Sequence, residues 1–187
     1  MGPGVYGSTD GFPMTTIRLT TWVNAPVERC FLLATRRDLS LSSHQNGTHA
    51  TAQGSFALGD EVAWKIGNRT YVSRIDAIRP YSYFREVMAA GIFSHYEHDH
   101  HFARMDDGTR VRNEIRFSTR LGPLGRAFEM TVLRAALGRM LISRNSELKR
   151  LAESGEWQRY VDASKTIHDS IPLNDPQNRI SNMQRFA

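Results

Sequence analysis

The sequence has little cysteine and no long apolar run, and both absences limit what the chain can be. Cys30 is the only cysteine among 187 residues, so no disulfide can form within the chain. Because disulfides are concentrated in secreted proteins, we expect a cytoplasmic protein. No stretch of about 18 consecutive apolar residues occurs, so we expect no membrane-spanning helix. No basic region followed by an apolar segment opens the chain, so we expect no secretory signal.

Motifs that bind nucleotides or nucleic acids are also missing. The glycines at 122–125 lack both the lysine and the preceding buried strand that a phosphate-binding loop requires. The formal net charge is +5, yet the basic residues are scattered, mostly as arginine, among acidic ones. Without a dense basic block, a solvated surface explains this charge better than a nucleic-acid partner does. We therefore expect no nucleic-acid partner.

Length and composition indicate one globular domain with tails. With 187 residues, of which 40% are hydrophobic, the chain can bury one substantial core. Residues 1–13 are rich in Gly and Pro and have no apolar period, which predicts a disordered leader or tag. We place the folded domain at residues 14–155. The polar remainder, residues 156–187, is predicted to be a flexible tail.

Alternating apolar residues predict a series of strands joined by short turns. The predicted strands span residues 15–23, 48–53, 61–66, 70–78, 83–90, 93–105 and 109–120. Asp107-Gly108 is the clearest hairpin turn, because this dipeptide tolerates the positive φ that such turns need.

Two stretches have helical periodicity instead. Pro26 follows the first strand and predicts a short helix at 27–35, and a second short helix or a loop is predicted for the Ser-rich residues 38–45. A long helix is predicted over about 124–154, with Gly155 as its C-cap. Its apolar stripe consists of Phe128, Val132, Leu133, Ala136, Leu137, Met140, Leu141, Leu148 and Leu151.

This order of elements predicts an α+β fold. Long strands linked by short turns should form one curved antiparallel sheet of about six to seven strands. The apolar face of that sheet must be covered, and only the long C-terminal helix is large enough to cover it. Because one helix cannot fill a strongly twisted sheet, we expect a cavity between them for a small, largely apolar ligand.

Several segments, taken in order, resemble one known family. They are WVNAPVERCF (22–31), FREVM (84–88) followed by GIF (91–93), HDHHF (98–102), DGT (107–109) and LGPLG (121–125). Over roughly residues 15–152 they resemble a bacterial member of the START-like helix-grip superfamily, often labelled SRPBCC. It includes polyketide cyclases and dehydrases, lipid carriers and the birch-pollen allergen. The resemblance implies the helix-grip fold and a ligand cavity, but no single activity.

The histidines are concentrated in one predicted strand. Four of the seven lie between residues 95 and 101. Side chains alternate between the two faces of a strand, and the face that carries aromatic residues is expected to point inward. That face carries Tyr96, His98, His100 and Phe102. Together with the neighbouring strands, it predicts a buried polar cluster of Glu86, His98, His100 and Asn113.

The predicted ligand-binding residues are this cluster and the apolar or aromatic side chains around it. They are Glu86, His98, His100, Asn113, Tyr96, Phe84, Met88 and Phe117. Proteins of the resembling family commonly carry an acid, a His-x-His pair and a second acid at the matching positions. Here Asn113 stands where the second acid would be, which argues against a role that needs two carboxylates.

Three interpretations of the cluster remain open. Its members could satisfy one another's hydrogen bonds beside the core, in a purely structural network. They could orient the polar end of an apolar ligand. They could also perform acid–base chemistry, with His98, His100 and Glu86 as candidate catalytic residues. Two imidazoles and a carboxylate are acceptable metal ligands, but no cysteine joins them and the resembling family is not generally metal-dependent; we expect neither a metal nor another cofactor.

The predicted function is binding of a small, mostly hydrophobic ligand, lipid or polyketide-like, without catalysis. A polyketide-cyclase-like or dehydratase-like enzyme that uses the cavity histidines and a carboxylate is the first alternative. The second alternative is a protein-interaction or regulatory module in which the cavity is vestigial.

Overall fold

A computed structural model describes residues 14–37, 39, 54–66, 68–119 and 127–160. These residues form six strands, two α-helices and two short helical turns. In chain order they are β1 (Thr15–Val23), α1 (Val27–Ala34), β2 (Glu61–Ile66), β3 (Arg69–Arg79), β4 (Tyr83–Ala90), β5 (Phe93–Met105), β6 (Gly108–Thr119), a π-helical turn (Glu129–Leu133), α2 (Arg134–Glu153) and a 3₁₀ turn (Gly155–Trp157).

The six strands form one antiparallel sheet. Its order is β1-β6-β5-β4-β3-β2, so the first strand pairs with the last and β1 and β2 form the edges. Register shifts interrupt the β3–β4 and β5–β6 pairings, and such irregularities bend a sheet. The hairpin turn between β5 and β6 lies where Asp107-Gly108 predicted it. The predicted α+β architecture is confirmed.

The long helix covers the inner face of the sheet, as predicted. Leu137 and Leu141 of α2, and Leu133 just before it, are almost completely buried. Phe128 and Val132, also assigned to the apolar stripe, are instead 39% and 50% exposed. They are four residues apart and share a face that turns away from the buried leucines. The prediction was therefore wrong for these two positions.

The end of the long helix also differs from the prediction. Gly155 was expected to be the C-cap, but α2 ends at Glu153 and Ser154 is the capping residue. Gly155 begins the 3₁₀ turn, and the hydroxyl of Ser154 accepts a hydrogen bond from the backbone N–H of Glu156. The backbone N–H of Ser154, which donates to the carbonyl oxygens of Arg150 and Leu151, caps the end of α2.

Some predicted segments lie outside the described residues. They are the leader at 1–13, the weak strand at 48–53, the start of the long helix at 124–126 and the tail beyond 160. The predicted helix or loop at 38–45 also lies almost entirely outside them. None of the described helices is long and apolar enough to cross a lipid bilayer.

Buried apolar side chains form two clusters. The first packs α1 and the end of α2 against the sheet; its members include Val23, Cys30, Phe31, Phe84, Phe102, Val111 and Leu151. The second packs the beginning of the long helix against the sheet; its members include Trp64, Tyr71, Phe93, Tyr96, Ile115, Phe117 and Leu137.

Candidate functional site

Between the two apolar clusters lies a layer of inward-facing polar side chains. On β6, for example, Asn113 stands between Val111 of the first cluster and Ile115 of the second. Because every second residue of a strand points to the same face, neighbouring strands place their polar residues side by side. We call this feature the polar layer; its members are Thr21, Ser73, Glu86, His98, His100, Asn113, Arg144 and Asn145.

Strand register assembles the centre of the layer. Glu86 of β4 is the direct cross-strand partner of His98 on β5, and His100 is the partner of Asn113 on β6. All four side chains are at least nine-tenths buried. The structure therefore brings together the four residues that the sequence predicted as a polar cluster.

Glu86, His98 and His100 approach one another closely. One ligand-type atom from each lies within 4.8 Å of the others. His100 Nε2 is 3.4 Å from Glu86 Oε1, and the two imidazole ring centres are 3.7 Å apart. The ring of Phe84 stacks on His100 with 3.9 Å between centroids, which fixes the orientation of that imidazole. Three titratable groups thus converge on one small volume.

The carboxylate of Glu86 is held from two sides. Ser73 Oγ donates a 2.8 Å hydrogen bond to Glu86 Oε2, and Arg144 Nη1 lies 3.6 Å from Oε1. Burial by itself raises the pKa of Glu86, but the proximity of His100 and the charge of Arg144 outweigh it, and the pKa falls below its usual value. Glu86 is therefore a carboxylate at neutral pH.

The two histidines are neutral under the same conditions. Burial lowers the pKa of both His98 and His100, because an imidazolium ion loses its hydration in the interior. The negative charge of Glu86 opposes this effect without overcoming it. Each ring therefore keeps one nitrogen lone pair and one N–H at neutral pH.

Several buried polar atoms in and beside the layer have no hydrogen-bond partner within the described part of the chain. They are Trp64 Nε1, Glu86 Oε1, Tyr96 Oη, His98 Nδ1 and Nε2, His100 Nε2 and Asn113 Oδ1. A buried polar atom without a partner costs about 1–3 kcal/mol. Within the described residues these atoms are not all satisfied by one another, and the role of the cluster stays a prediction.

Four members of the layer were missed in the sequence, namely Thr21, Ser73, Arg144 and Asn145. Asn145 links α2 to the sheet: its amide donates to Thr21 Oγ1 at 2.9 Å and its carbonyl accepts from Asn113 Nδ2 at 3.1 Å. For Arg144 and Asn145 a signal was available, because the apolar stripe of the helix has a gap between Leu141 and Leu148 that polar residues fill.

The remaining predicted ligand-binding residues also face the interior. Tyr96 and Phe117 are buried in the second apolar cluster, and Met88 packs against it. Burial and the nearby charge of Glu86 both raise the pKa of the Tyr96 phenol. Phe84 belongs to the first cluster. The predicted residues thus surround the polar layer from both sides, and their role in ligand binding stays a prediction.

A small cavity lies next to the polar layer, between α1 and α2. Its volume is about 40 Å³, enough for water but far below the several hundred Å³ that a drug-sized ligand occupies. Leu33, Ala34, Leu39, Arg144, Glu147, Leu148 and Leu151 line it. The ligand-sized cavity that the sequence predicted beneath the helix stays a prediction.

Comparison with known proteins identifies the architecture. No protein-family model matches the sequence, and no curated protein matches it either. Solved structures do match. The KanY protein in solution is 20% identical at a TM-score of 0.58, over 76% of this chain and 100% of that one. The Aha1 dimer from Colwellia psychrerythraea is 15% identical at 0.57, over 76% and 99%.

A third match comes from a biosynthetic protein. The di-domain ARO/CYC BexL, from the BE-7585A biosynthetic pathway, is 11% identical at a TM-score of 0.54, and the match covers 75% of this chain and 50% of BexL. The chain has the START-like helix-grip fold. The fold expected from the resemblance is therefore confirmed. Identities this low show a shared fold, and function has to be argued from the residues of the site.

Proposed function

We propose that the protein binds a small, mostly hydrophobic molecule with one polar group, in the interior between the helix-grip sheet and α2. The observation that carries this proposal is the set of unpartnered polar atoms in the polar layer, which has an apolar cluster on either side. Binding sites for small molecules typically combine apolar walls with a few convergent polar groups. A ligand with an apolar body and one polar end would satisfy both features.

The polar atoms indicate what that end should be. Trp64 Nε1 can only donate a hydrogen bond, whereas the amide oxygen of Asn113 can only accept one. A hydroxyl group of the ligand can hydrogen-bond with both kinds of atom, whereas a ketone or ester carbonyl can accept hydrogen bonds only from the donors. Because the Glu86 carboxylate is ionised next to these polar atoms, it would repel a carboxylate group on the ligand. We therefore expect a neutral oxygen function, as in a ketide or a lipid alcohol.

The cavity between α1 and α2 is the proposed route to this interior. Arg144 lines the cavity and its guanidinium lies 3.6 Å from Glu86 Oε1, which supports this route to the polar layer. At about 40 Å³ the cavity is too small for the ligand. Binding in this interior would therefore require α1 and α2 to separate.

Native mass spectrometry of the wild type and of two tryptophan variants, one that blocks the proposed route and one that does not, tests the proposal. The full chain is incubated with a lipid and ketide extract, and the bound species is identified after denaturation. Leu148→Trp should fill the route and abolish the mass shift. Ile142→Trp places the same side chain on the same helix at a residue that is 55% exposed, and should bind as the wild type does.

Two results would overturn the proposal. One is a folded wild-type protein that retains no molecule from the extract. The other is equal retention by the Leu148→Trp variant, which would show that the ligand does not occupy this interior. Circular dichroism of both tryptophan variants shows that the comparison is made between folded proteins.

A cyclase-like or dehydratase-like enzyme is the second candidate, and one observation favours it. A neutral imidazole, His100, lies 3.4 Å from an ionised carboxylate, which is the arrangement of a general base with an orienting partner. BexL, whose name includes ARO/CYC, shares the fold. If this candidate is correct, His100→Gln should retain ketide binding and lose turnover by a factor of about 100 or more. Equal turnover in the variant would exclude His100 as the base.

A further inference from the structure

We propose that Glu86, His98 and His100 form a binding site for one divalent transition-metal ion. The site does not depend on the proposed ligand, because it can be loaded and measured with the metal alone. The sequence argued against a metal because no cysteine accompanies the histidines. The geometry supplies two nitrogen donors and one oxygen donor, a set that needs no cysteine.

The spacing of the donor atoms is the first reason. Zinc–nitrogen and zinc–oxygen bonds of about 2.0–2.1 Å in a tetrahedron place neighbouring donors about 3.3 Å apart. His100 Nε2 and Glu86 Oε1 are 3.4 Å apart, and a donor atom of His98 lies within 4.8 Å of both. A small rotation of the His98 ring would complete a three-donor face with further coordination positions open.

The donor atoms are also available to bind a metal ion. Glu86 Oε1 and His100 Nε2 have no hydrogen-bond partner within the described residues, and neither nitrogen of His98 has one. A metal ion bound to these atoms would remove the cost of burying them unpaired.

A second layer of contacts supports the three donors, as is usual around metal ligands. Ser73 donates to Glu86 Oε2 at 2.8 Å and leaves Oε1 for the metal. The stack with Phe84 holds the ring of His100 in place. Asn113 lies beside His98 with its amide oxygen unpartnered, and so can accept the N–H of that ring.

The positive charge of Arg144 would repel the metal ion, and this repulsion makes the proposal testable. Its guanidinium lies 3.6 Å from the carboxylate oxygen that would bind the metal. Two cations cannot share that oxygen without repulsion, so Arg144 has to turn toward the adjacent cavity when the metal enters. Replacing Arg144 with an uncharged residue should therefore tighten metal binding.

The donor set favours first-row transition metals over calcium and magnesium. Imidazole nitrogen suits zinc, iron, cobalt and nickel, whereas calcium and magnesium prefer all-oxygen sites. Cobalt(II) and zinc(II) are suitable probes because cobalt gives a visible spectrum that reports its coordination and zinc competes for the same donors.

The experiment uses the full chain without a histidine tag, stripped of metal with a chelator. Cobalt titration followed by visible absorbance, with calorimetry for zinc, should give one ion per chain. His98→Gln, His100→Gln and Glu86→Gln should each weaken binding by a factor of about 100 or more. His101→Gln is the matched control, because this histidine is on the same strand but exposed on the other face.

Arg144→Gln leaves all three donors in place and covers the case in which a donor variant does not fold. It should bind cobalt at least about tenfold more tightly than the wild type. Folded wild-type and Arg144→Gln proteins that both bind no cobalt or zinc would overturn the site, as would unchanged binding in His100→Gln. Repeating the native mass spectrometry on chelated protein keeps this result separate from that of the proposed ligand.

Discussion

Asn145 of α2 donates a hydrogen bond of 2.9 Å to the hydroxyl oxygen of Thr21 on β1. Its carbonyl oxygen also accepts from Asn113 on β6, so one helix residue is tied to two adjacent strands. Asn145→Ala would leave the buried Asn113 and the half-buried Thr21 without these partners. We expect a loss of about 1–3 kcal/mol in the free energy of unfolding, measured by urea denaturation.

Ser146→Ala is the control for this prediction. Ser146 is the next residue along the helix and is exposed, and its change to alanine brings a similar gain in helix propensity. Its stability should stay the same or rise slightly. Equal stability of the Asn145→Ala and Ser146→Ala variants would show that the bond to Thr21 contributes little.

Two glycines should respond in opposite directions to the same substitution. Gly108, at the start of β6, has a φ of 147°, and a Cβ there would overlap the carbonyl oxygen of Val23. Gly108→Ala should therefore destabilise the fold by more than about 1 kcal/mol. Gly138 lies inside α2, where an added Cβ would meet no neighbouring element of the described chain within 4 Å, so Gly138→Ala should stabilise the fold by about 0.5–1 kcal/mol. Thermal or urea unfolding of both variants checks the signs, and equal effects would contradict the prediction.

The strands could be predicted closely because their signals are local. The predicted bounds of β1, β2, β4 and β5 agree with the structure, since each strand alternates apolar and polar residues and ends at a turn. The same alternation placed Glu86, His98, His100 and Asn113 on one face. The register of these neighbouring strands is set by the short turns that join them, and those turns are also visible in the sequence.

The strand residues that the polar residues of the helix contact could not be predicted in this way. Helical periodicity identifies an apolar face but not the strand residues that each helix residue meets. The pairing of Asn145 with Thr21 joins positions 124 residues apart, and nothing local encodes it. The exposure of Phe128 and the size of the cavity depend in the same way on how complete side chains pack.

Cys30 should be chemically inert in the native protein. Its side chain is fully buried in the first apolar cluster, and its thiol lies 3.8 Å from the carbonyl oxygen of Ala25. Burial raises the pKa of the thiol, so little thiolate is present to react. A thiol reagent should modify about one group per chain in denaturant and almost none in buffer. Rapid modification of the folded protein would show that α1 opens readily.

Tyr83 should make the fold sensitive to alkali. Its phenol donates a 2.5 Å hydrogen bond to Asp99, which Arg85 also contacts, and Arg79 and His101 lie over or beside its ring. Burial and the Asp99 carboxylate raise the pKa of Tyr83 to about 12, against about 10 in an unfolded chain.

Because the pKa is higher in the folded state, the unfolded state loses the phenol proton first. The stabilising contribution of Tyr83 is complete below pH of about 10 and is lost between about 10 and 12. Tyr83→Phe cannot lose this proton, so its unfolding free energy should fall less steeply than that of the wild type over the same range. Urea denaturation at several alkaline pH values gives the two slopes. Parallel slopes would show that Tyr83 ionises equally in the folded and unfolded states and would contradict the prediction.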